Sequence, residues 1–418
     1  RLALSSGRPS TLTNVNVTDN EAGSGGGGLF IAASANLTVT GGAISSNRAA
    51  AGGGGGVYTD NSTTVLQNVT MSGNTAVQSG GAVLGLTGGN VTLRNVVAEG
   101  NRGLNGGAYG FNGPITIVVE GGRVQRNEAT AVGGGLWKAG QTALTVTGTE
   151  FIENTAASQG GGLQLVAPGA PATLRGLLVR GNTATGASGG GVTAGVNTTI
   201  ENSTFVGNSA PAAIGGAVFS ASLANTVIRN STFSGNSAVT GGGVAATGVA
   251  AIINSTFVGN TATDYGAGVA TNNSGAMTVT NLVLSNNRIG QNAGDCGRGG
   301  SSTITSAGGN VNGDTTCSTF TQGGDRRNTA VGVSATLANN GGGALTHALL
   351  EGSAAINAGV SSACPATDQR GFARVGSCDS GAFEFGATAS AGGARSAPLT
   401  APPAARLTTR LTARPDRK

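Results

Sequence analysis

The sequence predicts an all-β fold, namely a right-handed parallel β-helix of about eleven coils with about 27 residues each, followed by a C-terminal capping module. Three observations predict it. The phrase NSTFVGN or NSTFSGN occurs three times, at residues 202–208, 230–236 and 254–260. A repeat of about 27 residues, close to the spacing between these phrases, extends over the first 290 residues. Clusters of glycine recur at one position of that repeat. Strands that pair one coil apart satisfy all three observations, because equivalent positions then stack along a rod.

An asparagine marks the same position in every copy of the repeat, and it is the last residue of the quoted phrase. Successive copies lie 24 to 28 residues apart, a spacing too regular to arise from composition. Stacked asparagine side chains can hydrogen-bond to one another, so this column is predicted to form an amide ladder. Its members are Asn20, Asn47, Asn74, Asn101, Asn127, Asn154, Asn182, Asn208, Asn236, Asn260 and Asn287.

Three further positions predict how each coil is built. The residues three and eight before each ladder asparagine are apolar, so both positions are expected to face the core. The residue six before is always Asn or Gly, which tolerate positive φ, and this predicts a bend. Each coil is therefore expected to hold three short strands and three bends. The predicted buried columns include Val119, Val146 and Leu174 in one, and Phe205, Phe233 and Phe257 in the other.

The first asparagine of each phrase also begins an N-x-S/T glycosylation sequence, at Asn202, Asn230 and Asn254. These residues occupy the predicted bend position, and β-branched residues follow them into a strand. The structural explanation is therefore favoured, and the glycosylation sequences are interpreted as its by-product.

Charge is scarce and unevenly distributed. Charged residues make up 10% of the 418 residues, and the net charge of +5 resides in residues 386–418, so the rest of the chain is neutral. This distribution disfavours a nucleic-acid-binding face. No run of about 18 apolar residues exists, so no transmembrane segment is expected. Residues 1–30 carry no signal segment, and any such segment is expected to have been removed or to lie outside this sequence.

Short motifs within the repeat resemble a known family. GGAV stands at 80–83 and 215–218, and Phe-x-x-Asn stands at 151–154, 205–208, 233–236 and 257–260. These motifs resemble the repeats of polymorphic outer-membrane proteins. The resemblance implies a β-helical region that is displayed at a bacterial cell surface and that is often adhesive.

A second resemblance lies in residues 337–384. The matching motifs are NGG (340–342), THALL (346–350), DQRG (368–371) and CDSGAFE (378–384). They resemble the choice-of-anchor Q module, which follows bacterial β-helices and implies attachment at the cell surface. The chain is accordingly divided into β-helix repeats (1–290), a capping module with four cysteines (291–385) and a basic tail rich in Ala, Pro and Arg (386–418).

The four cysteines, Cys296, Cys317, Cys364 and Cys378, all follow the predicted repeats. Three pairings are possible, and the local ones, Cys296 with Cys317 and Cys364 with Cys378, are favoured because they close short loops. Disulfides indicate an exported protein. The spacing of the cysteines disfavours zinc, and no metal or other cofactor is expected.

Acidic residues do not gather at neighbouring coils in the pattern that catalysis needs. Carboxylates and arginines alternate from coil to coil instead, which predicts ion pairs on a solvated face and no catalytic residues. His347, the only histidine, is predicted to be structural, and GGNVNGD (308–314) is only weakly similar to a Ca²⁺-binding repeat. The alternating sets are Glu21 and Arg48; Arg94 and Glu120; Arg102 and Glu128; Arg123 and Glu150; Arg126 and Glu153; Arg175, Glu201 and Arg229.

The basic tail contains Arg406, Arg410 and Arg414 at intervals of four residues. It is interpreted either as a solvated linker or as a docking peptide for an acidic or anionic partner. The predicted function is that of an exported, non-enzymatic protein of the extracellular cell surface, with a structural or adhesive role. Its expected partner is in the cell envelope or outside the cell, either a glycan or further copies of the chain. The alternatives are a polysaccharide lyase or hydrolase on the same fold and a subunit of an extracellular filament or coat.

Overall fold

The computed structural model describes residues 2–5, 9–32, 34–166 and 170–388. From Leu2 to Asn312 the chain winds into a parallel β-helix in which each strand pairs with its equivalent in the next coil. The offset between paired residues ranges from 24, between Ile228 and Ile252, to 29, between Leu163 and Val192. The predicted fold class and the predicted number of about eleven coils are confirmed.

Seven of the eleven full coils have four separate strands, so the prediction of three was wrong for these coils; in the first four coils two neighbouring strands merge and three remain. The first three strand positions of a coil belong to one continuous sheet that wraps around the rod, and the fourth belongs to a separate twelve-stranded sheet. The fourth strand is often only two residues long, which is too short to produce an alternating pattern in the sequence. In one coil the four strands are Tyr109–Asn112, Thr116–Glu120, Arg123–Gln125 and Glu128–Val132.

The other strands of the continuous sheet follow the same order. First strands are Leu2–Leu4, Leu29–Ile31, Leu136–Ala139, Leu163–Val166, Val192–Ala194, Val218–Ser220, Val244–Ala246, Val269–Thr271 and Cys296–Arg298. Second strands are Leu144–Thr147, Ala172–Arg175, Thr198–Glu201, Asn225–Arg229, Val249–Ile253, Ala276–Thr280 and Thr303–Ser306. Third strands are Thr70–Ser72, Val97–Glu99, Glu150–Ile152, Leu178–Arg180, Thr204–Val206, Thr232–Ser234, Thr256–Val258, Val283–Ser285 and Val311–Asn312. First and second strands merge in Val57–Gln67 and Val83–Arg94, and second and third strands merge in Pro9–Thr18 and Asn36–Ser45.

The fourth strands each begin directly after a ladder asparagine. They are Glu21–Ala22, Arg48–Ala49, Thr75–Ala76, Arg102–Asn105, Thr155–Ala156, Thr183–Ala184, Ser209–Ile214, Ser237–Thr240, Thr261–Tyr265 and Arg288–Ile289. Asn292–Ala293 pairs antiparallel to the last of them.

The core consists of side-chain columns that run along the rod. Val119, Val146 and Leu174 are paired in register and are buried. The rings of Phe205, Phe233 and Phe257 stack in parallel, with centroid distances of 4.9 and 4.5 Å between neighbours. Both predicted columns are confirmed.

The predicted bends are confirmed as well. All eleven residues six positions before the ladder have φ between 43° and 68°, in the left-handed region where Asn and Gly are tolerated. The glycine clusters serve a different purpose, which is close approach between coils. A Cβ atom on Gly55, for example, would lie 2.4 Å from the carbonyl oxygen of Thr75 and 2.5 Å from that of Gly81.

The solenoid continues past residue 290, where its boundary was predicted. Cys296–Arg298, Thr303–Ser306 and Val311–Asn312 pair with the strands of the preceding coil and form a partial twelfth coil. Residues 337–384, called the strap below, then lie along the outside of the last four full coils. The strap contains little regular structure: one antiparallel pair, Ala338–Asn339 with Leu345–Thr346, and a 3₁₀ turn, Ser361–Ala363.

Within the described part of the chain, no helix is long and apolar enough to cross a membrane.

Candidate functional site

The eleven ladder asparagines form one continuous chain of hydrogen bonds. Each side-chain Nδ2 donates to Oδ1 of the next asparagine, at 2.8 to 3.0 Å. Asn287, at the end of the ladder, donates to Oδ1 of Asp295 at 2.8 Å. Apart from Asn20, all of the ladder asparagines are buried.

Asn182 shows why these side chains are suited to the interior of the rod. Its Oδ1 accepts from both the backbone N–H and Nδ2 of Asn154, at 3.0 and 2.9 Å. Its Nδ2 donates to the carbonyl of Phe151 and to Oδ1 of Asn208, both at 2.9 Å. All four hydrogen-bonding positions of the amide are therefore used inside the rod. The ladder stabilises the coils and leaves no polar group free for a ligand.

Asp295, which is buried, ends the ladder in a network with the partly exposed Asp314. Gly313 N–H donates to Oδ2 of Asp295 at 3.1 Å, and the backbone N–H of Asp295 donates to Oδ2 of Asp314 at 3.0 Å. Burial and the nearby charge of Asp314 raise the pKa of Asp295 to about 6. Asp295 was missed in the sequence because it follows Asn287 by 8 residues, far less than one repeat.

The weak Ca²⁺-like motif at 308–314 contributes its last three residues to this network. Oδ1 of Asp314 accepts from the backbone N–H of Thr316 at 2.8 Å and from the side-chain amide of Asn312 at 3.2 Å. N–H donors thus occupy the oxygens that a cation would need. Among the described residues, no group of three or more His, Cys, Asp or Glu side chains is arranged to hold a metal ion.

The strap binds to the repeated NST phrase. Thr204 Oγ1 donates to the carbonyl of Leu345 at 2.8 Å, and Thr232 Oγ1 donates to Oε1 of Gln369 at 2.5 Å. Nε2 of Gln369 donates to Oγ1 of Thr204 at 2.9 Å. One coil further on, Oγ1 of Thr256 accepts from the backbone N–H of Ala382 at 2.9 Å. The threonine of each phrase is therefore a docking point for the strap.

The bend asparagines also contact the strap. Asn230 Nδ2 donates to the carbonyl of Thr367 at 2.8 Å, and Asn254 Nδ2 donates to that of Asp379 at 3.1 Å. Asn230 is 4% exposed and Asn254 is fully buried, so the strap covers both glycosylation sequences. Residues of the phrase therefore form the bend, fill the core, belong to the asparagine ladder and bind the strap. The last of these roles was not recognised from the sequence.

Two buried ion pairs lie within the strap. Arg370 Nη2 lies 2.7 Å from Oδ2 of Asp368, and Arg374 Nη1 lies 2.8 Å from Oε2 of Glu384. Arg374 also donates to Oδ1 of Asn230 at 3.1 Å, which connects the second pair to the solenoid. Arg370 Nη2 also donates to the carbonyl of Glu384 at 2.7 Å, and the backbone N–H of Glu384 donates to Oδ2 of Asp368 at 3.1 Å, so DQRG and CDSGAFE form one structural unit.

His347 joins the strap to the solenoid. Its Nε2 lies 2.9 Å from Oγ of Ser234, and its Nδ1 lies 2.8 Å from the carbonyl oxygen of Ser334. Burial lowers the pKa of His347, although the contact with the Ser334 carbonyl acts in the opposite direction. This placement suits a structural histidine.

The cysteines pair locally. Cys296 is bonded to Cys317 at the end of the solenoid, and Cys364 is bonded to Cys378 within the strap.

Arginines and glutamates on neighbouring coils form ion pairs over the surface of the rod. The pairs are Glu21–Arg48 (2.5 Å), Arg94–Glu120 (2.7 Å), Glu99–Arg126, Arg102–Glu128 (3.2 Å), Arg123–Glu150 (2.5 Å) and Glu201–Arg229 (3.7 Å). Arg126 thus pairs with Glu99, and the expected pairing with Glu153 is wrong. Arg175 is in register with Glu201, but Arg175 forms no ion pair among the described residues.

The pairing between Glu99 and Arg126 affects the charge state of the carboxylate. Burial alone would raise the pKa of Glu99. Hydrogen bonds from Arg126 and Gln125 outweigh burial, and they lower the pKa.

A trough follows the fourth strands along the N-terminal half of the rod. It consists of two depressions of about 400 and 520 Å³ that meet at Thr130. One is lined by Arg48, Ala49, Thr75, Ala76, Val77, Arg102, Gly103 and Thr130. The other is lined by Arg126, Asn127, Glu128, Ala129, Thr130, Glu153, Thr155, Ala157 and Thr185. No motif or period in the sequence predicts these depressions.

Arg406, Arg410 and Arg414 of the predicted docking tail lie outside the described residues.

The fold and its surfaces define a right-handed parallel β-helix protein. A family model described as "Right handed beta helix region" matches residues 2–156, in agreement with the predicted handedness. No curated protein and no solved structure matches the chain.

Proposed function

We propose that this protein is an exported β-helix that acts at the bacterial cell surface in a structural or adhesive role, without chemistry of its own. The observation that carries the proposal is the neutralisation of surface carboxylates by arginines on neighbouring coils. Six such pairs span the solenoid from Glu21 to Arg229. A lyase or hydrolase needs carboxylates that are free to hold Ca²⁺ or to transfer protons.

Two further features support an extracellular setting. Both cysteine pairs are bonded, and disulfides persist in oxidising compartments. The repeats resemble those of polymorphic outer-membrane proteins, and motifs of the strap resemble those of the choice-of-anchor Q module. In this proposal the strap locks the C-terminal coils, and the basic tail connects the rod to an anionic partner in the envelope.

Glycan cleavage is the second candidate function, and one residue favours it. Glu153 is exposed in the trough, and it forms no ion pair with any described residue. Glu128 and Arg126 line the same depression. A free carboxylate beside a second acidic residue is the minimal equipment for acid–base catalysis on a sugar.

The two candidates are separated by one experiment on the full chain. The protein is incubated with pectins, alginates and neutral polysaccharides, with and without Ca²⁺, and unsaturated and reducing ends are measured. In parallel, its binding to bacterial envelope and extracellular-matrix preparations is measured. We expect binding without product. Product formation that is lost in Glu153→Gln and retained in Glu201→Gln, a half-buried carboxylate on another face, would establish the enzyme instead.

A further inference from the structure

We propose that Ser234 is an acylation site, a nucleophilic serine that His347 activates and that accepts one short aliphatic acyl group from an activated ester or thioester. The inference goes beyond the proposed surface function and does not depend on it. It gives the only histidine of the chain a chemical role in addition to its contact between strap and solenoid.

The hydrogen bonds of His347 determine which ring nitrogen carries the proton. The carbonyl oxygen of Ser334 only accepts hydrogen bonds, so Nδ1, which lies 2.8 Å from it, is the protonated nitrogen of the neutral ring. Nε2 is then the acceptor, and the hydroxyl of Ser234 donates to it at 2.9 Å. Ser234, His347 and the Ser334 carbonyl thus have the relation of nucleophile, base and orienting group that serine activation requires.

The surroundings keep the imidazole in its basic form. His347 is buried between the strap and the solenoid, with 1% of its surface exposed. Burial lowers the pKa of His347, and the contact with the Ser334 carbonyl opposes this shift only in part. The neutral ring, which is the form that accepts a proton, therefore predominates at neutral pH.

The hydroxyl of Ser234 is more accessible than its base. Ser234 is the last residue of the strand Thr232–Ser234 and is half-buried. Gly207, Gly235 and Gly259 follow the third strands of three adjacent coils, and a Cβ atom on any of them would meet no atom of the described chain within 4 Å. These glycines leave open surface beside Ser234, from which an acyl donor can approach.

The neighbours of Ser234 on the sheet favour an aliphatic acyl group. Val206 and Val258 are in register with Ser234 on the two adjacent coils, at about 4.8 Å on either side. Their side chains are apolar, so a short aliphatic chain on Oγ of Ser234 would pack against them. A charged acyl group would lose solvation beside them without gaining a partner.

The reaction is an acyl transfer. Oγ of Ser234 attacks the carbonyl carbon of the donor, and Nε2 of His347 takes the hydroxyl proton. The bond to the leaving alcohol or thiol then breaks, His347 returns the proton to the leaving group, and Ser234 holds the acyl group as an ester.

The backbone around Ser234 favours a single transfer over turnover. The N–H of Gly235 donates to the carbonyl of Val258 at 3.1 Å, and the N–H of Gly207 donates to the carbonyl of Ser234 at 3.0 Å. Neither N–H is free to stabilise an oxyanion, so both transfer and hydrolysis of the ester are expected to be slow. The product is therefore one persistent acyl group per chain.

The test uses the purified full chain and two donors, p-nitrophenyl butyrate and the butyryl thioester of N-acetylcysteamine. Intact mass and peptide mapping give the number of butyryl groups and the residues that carry them, and the faster donor shows which class is preferred. We expect one butyryl ester, on Ser234. Ser234→Ala should abolish it, and His347→Gln should slow its formation about 100-fold or more, because general-base catalysis contributes at least this much.

Ser72 is the matched control within the same chain. It is the last residue of the third strand Thr70–Ser72, is half-buried like Ser234, and donates its hydroxyl hydrogen bond to Oγ of Ser45 instead of to a histidine. Butyrylation of Ser72 as fast as that of Ser234 would overturn the proposal, because it would reflect ordinary hydroxyl reactivity. Equal rates in His347→Gln and the parent protein would overturn it as well.

The outcomes also separate this inference from the proposed function. If Ser234 gains no butyryl group from either donor, the acylation site is refuted, and the surface role stands on its own binding assay. If many equivalents of p-nitrophenol are released and Ser234→Ala abolishes this release, the site turns over, which refutes both the single transfer and the non-enzymatic role.

Discussion

Replacing Asn182 with alanine removes one rung from the centre of the amide ladder. The change eliminates four hydrogen bonds, two to Asn154, one to Phe151 and one to Asn208. The backbone N–H of Asn154 loses its partner altogether, whereas Nδ2 of Asn154 keeps its bond to the carbonyl of Val124. The substitution therefore leaves one buried N–H donor without a partner. It also removes one hydrogen bond from each of three other groups, namely Nδ2 of Asn154, the carbonyl of Phe151 and Oδ1 of Asn208.

The expected cost follows from these contacts. A typical hydrogen bond contributes about 1 kcal/mol, and an unsatisfied buried group costs about 1–3 kcal/mol. Water does not reach this position, because Asn154 and Asn182 are both fully buried. We therefore expect Asn182→Ala to lower the free energy of unfolding by roughly 3–5 kcal/mol.

Asn197→Ala is the matched control, because Oδ1 of this exposed asparagine accepts a single backbone hydrogen bond from Asn225. It should cost less than about 1 kcal/mol. Denaturant unfolding followed by circular dichroism gives the overall change, and hydrogen exchange at the amide of Asn154 gives the local one. The reasoning is refuted if the two variants have equal unfolding free energies, or if exchange at Asn154 is no faster in Asn182→Ala than in the parent protein.

Three other perturbations have defined outcomes. Phe233→Ala, which removes the middle ring of the phenylalanine stack, should cost roughly 3–5 kcal/mol in denaturant unfolding, and a loss below 1 kcal/mol would contradict the stacked core. The pKa of Asp295 is raised to about 6 in the folded state, whereas an ordinary Asp in the unfolded chain loses its proton near pH 4. Between about pH 4 and 6 the folded state therefore retains a proton that the unfolded state has released. Stability should therefore fall as pH rises from 4 to 6, by up to about 3 kcal/mol relative to Asp295→Asn, and parallel pH profiles for the two proteins would exclude this role. Gln369→Ala, which breaks the bonds to Thr204 and Thr232, should speed hydrogen exchange in the strap while leaving the N-terminal coils unchanged, and unaltered exchange in the strap would show that it is held elsewhere.

The solenoid could be predicted in detail because in this fold the pairing register equals the sequence period. Once the asparagine column was aligned, each apolar column and each bend followed from counting residues, and Phe233 was placed between its true neighbours. The fourth strand escaped prediction because two residues carry no measurable alternation. Arg126 was paired with the wrong glutamate because its long side chain reaches diagonally to Glu99, and periodicity specifies only the residue directly alongside.

The strap could not be placed from the sequence, because residues 337–384 contain no period that aligns them with the coils. A signal was nevertheless present. The triplet NST is identical at 202–204, 230–232 and 254–256, whereas the earlier coils vary at the same positions. The serine of each triplet accepts a hydrogen bond from a backbone N–H of the preceding coil, whereas the threonine side chain contacts the strap. The repeated threonine is therefore the residue that indicates a second surface lying against these coils.

The strap has a consequence for the order in which the molecule assembles. Neighbouring coils are joined by contacts about 27 residues apart, whereas Gln369 and Thr204 are 165 residues apart and Asp379 and Asn254 are 125 apart. Contacts of such long sequence separation form slowly, because the loop must close before they contribute. The surface that receives Gln369 also does not exist until adjacent coils have paired. We therefore expect growth of the rod from coil to coil to precede closure of the strap, so that in pulsed hydrogen exchange the strap amides gain protection last.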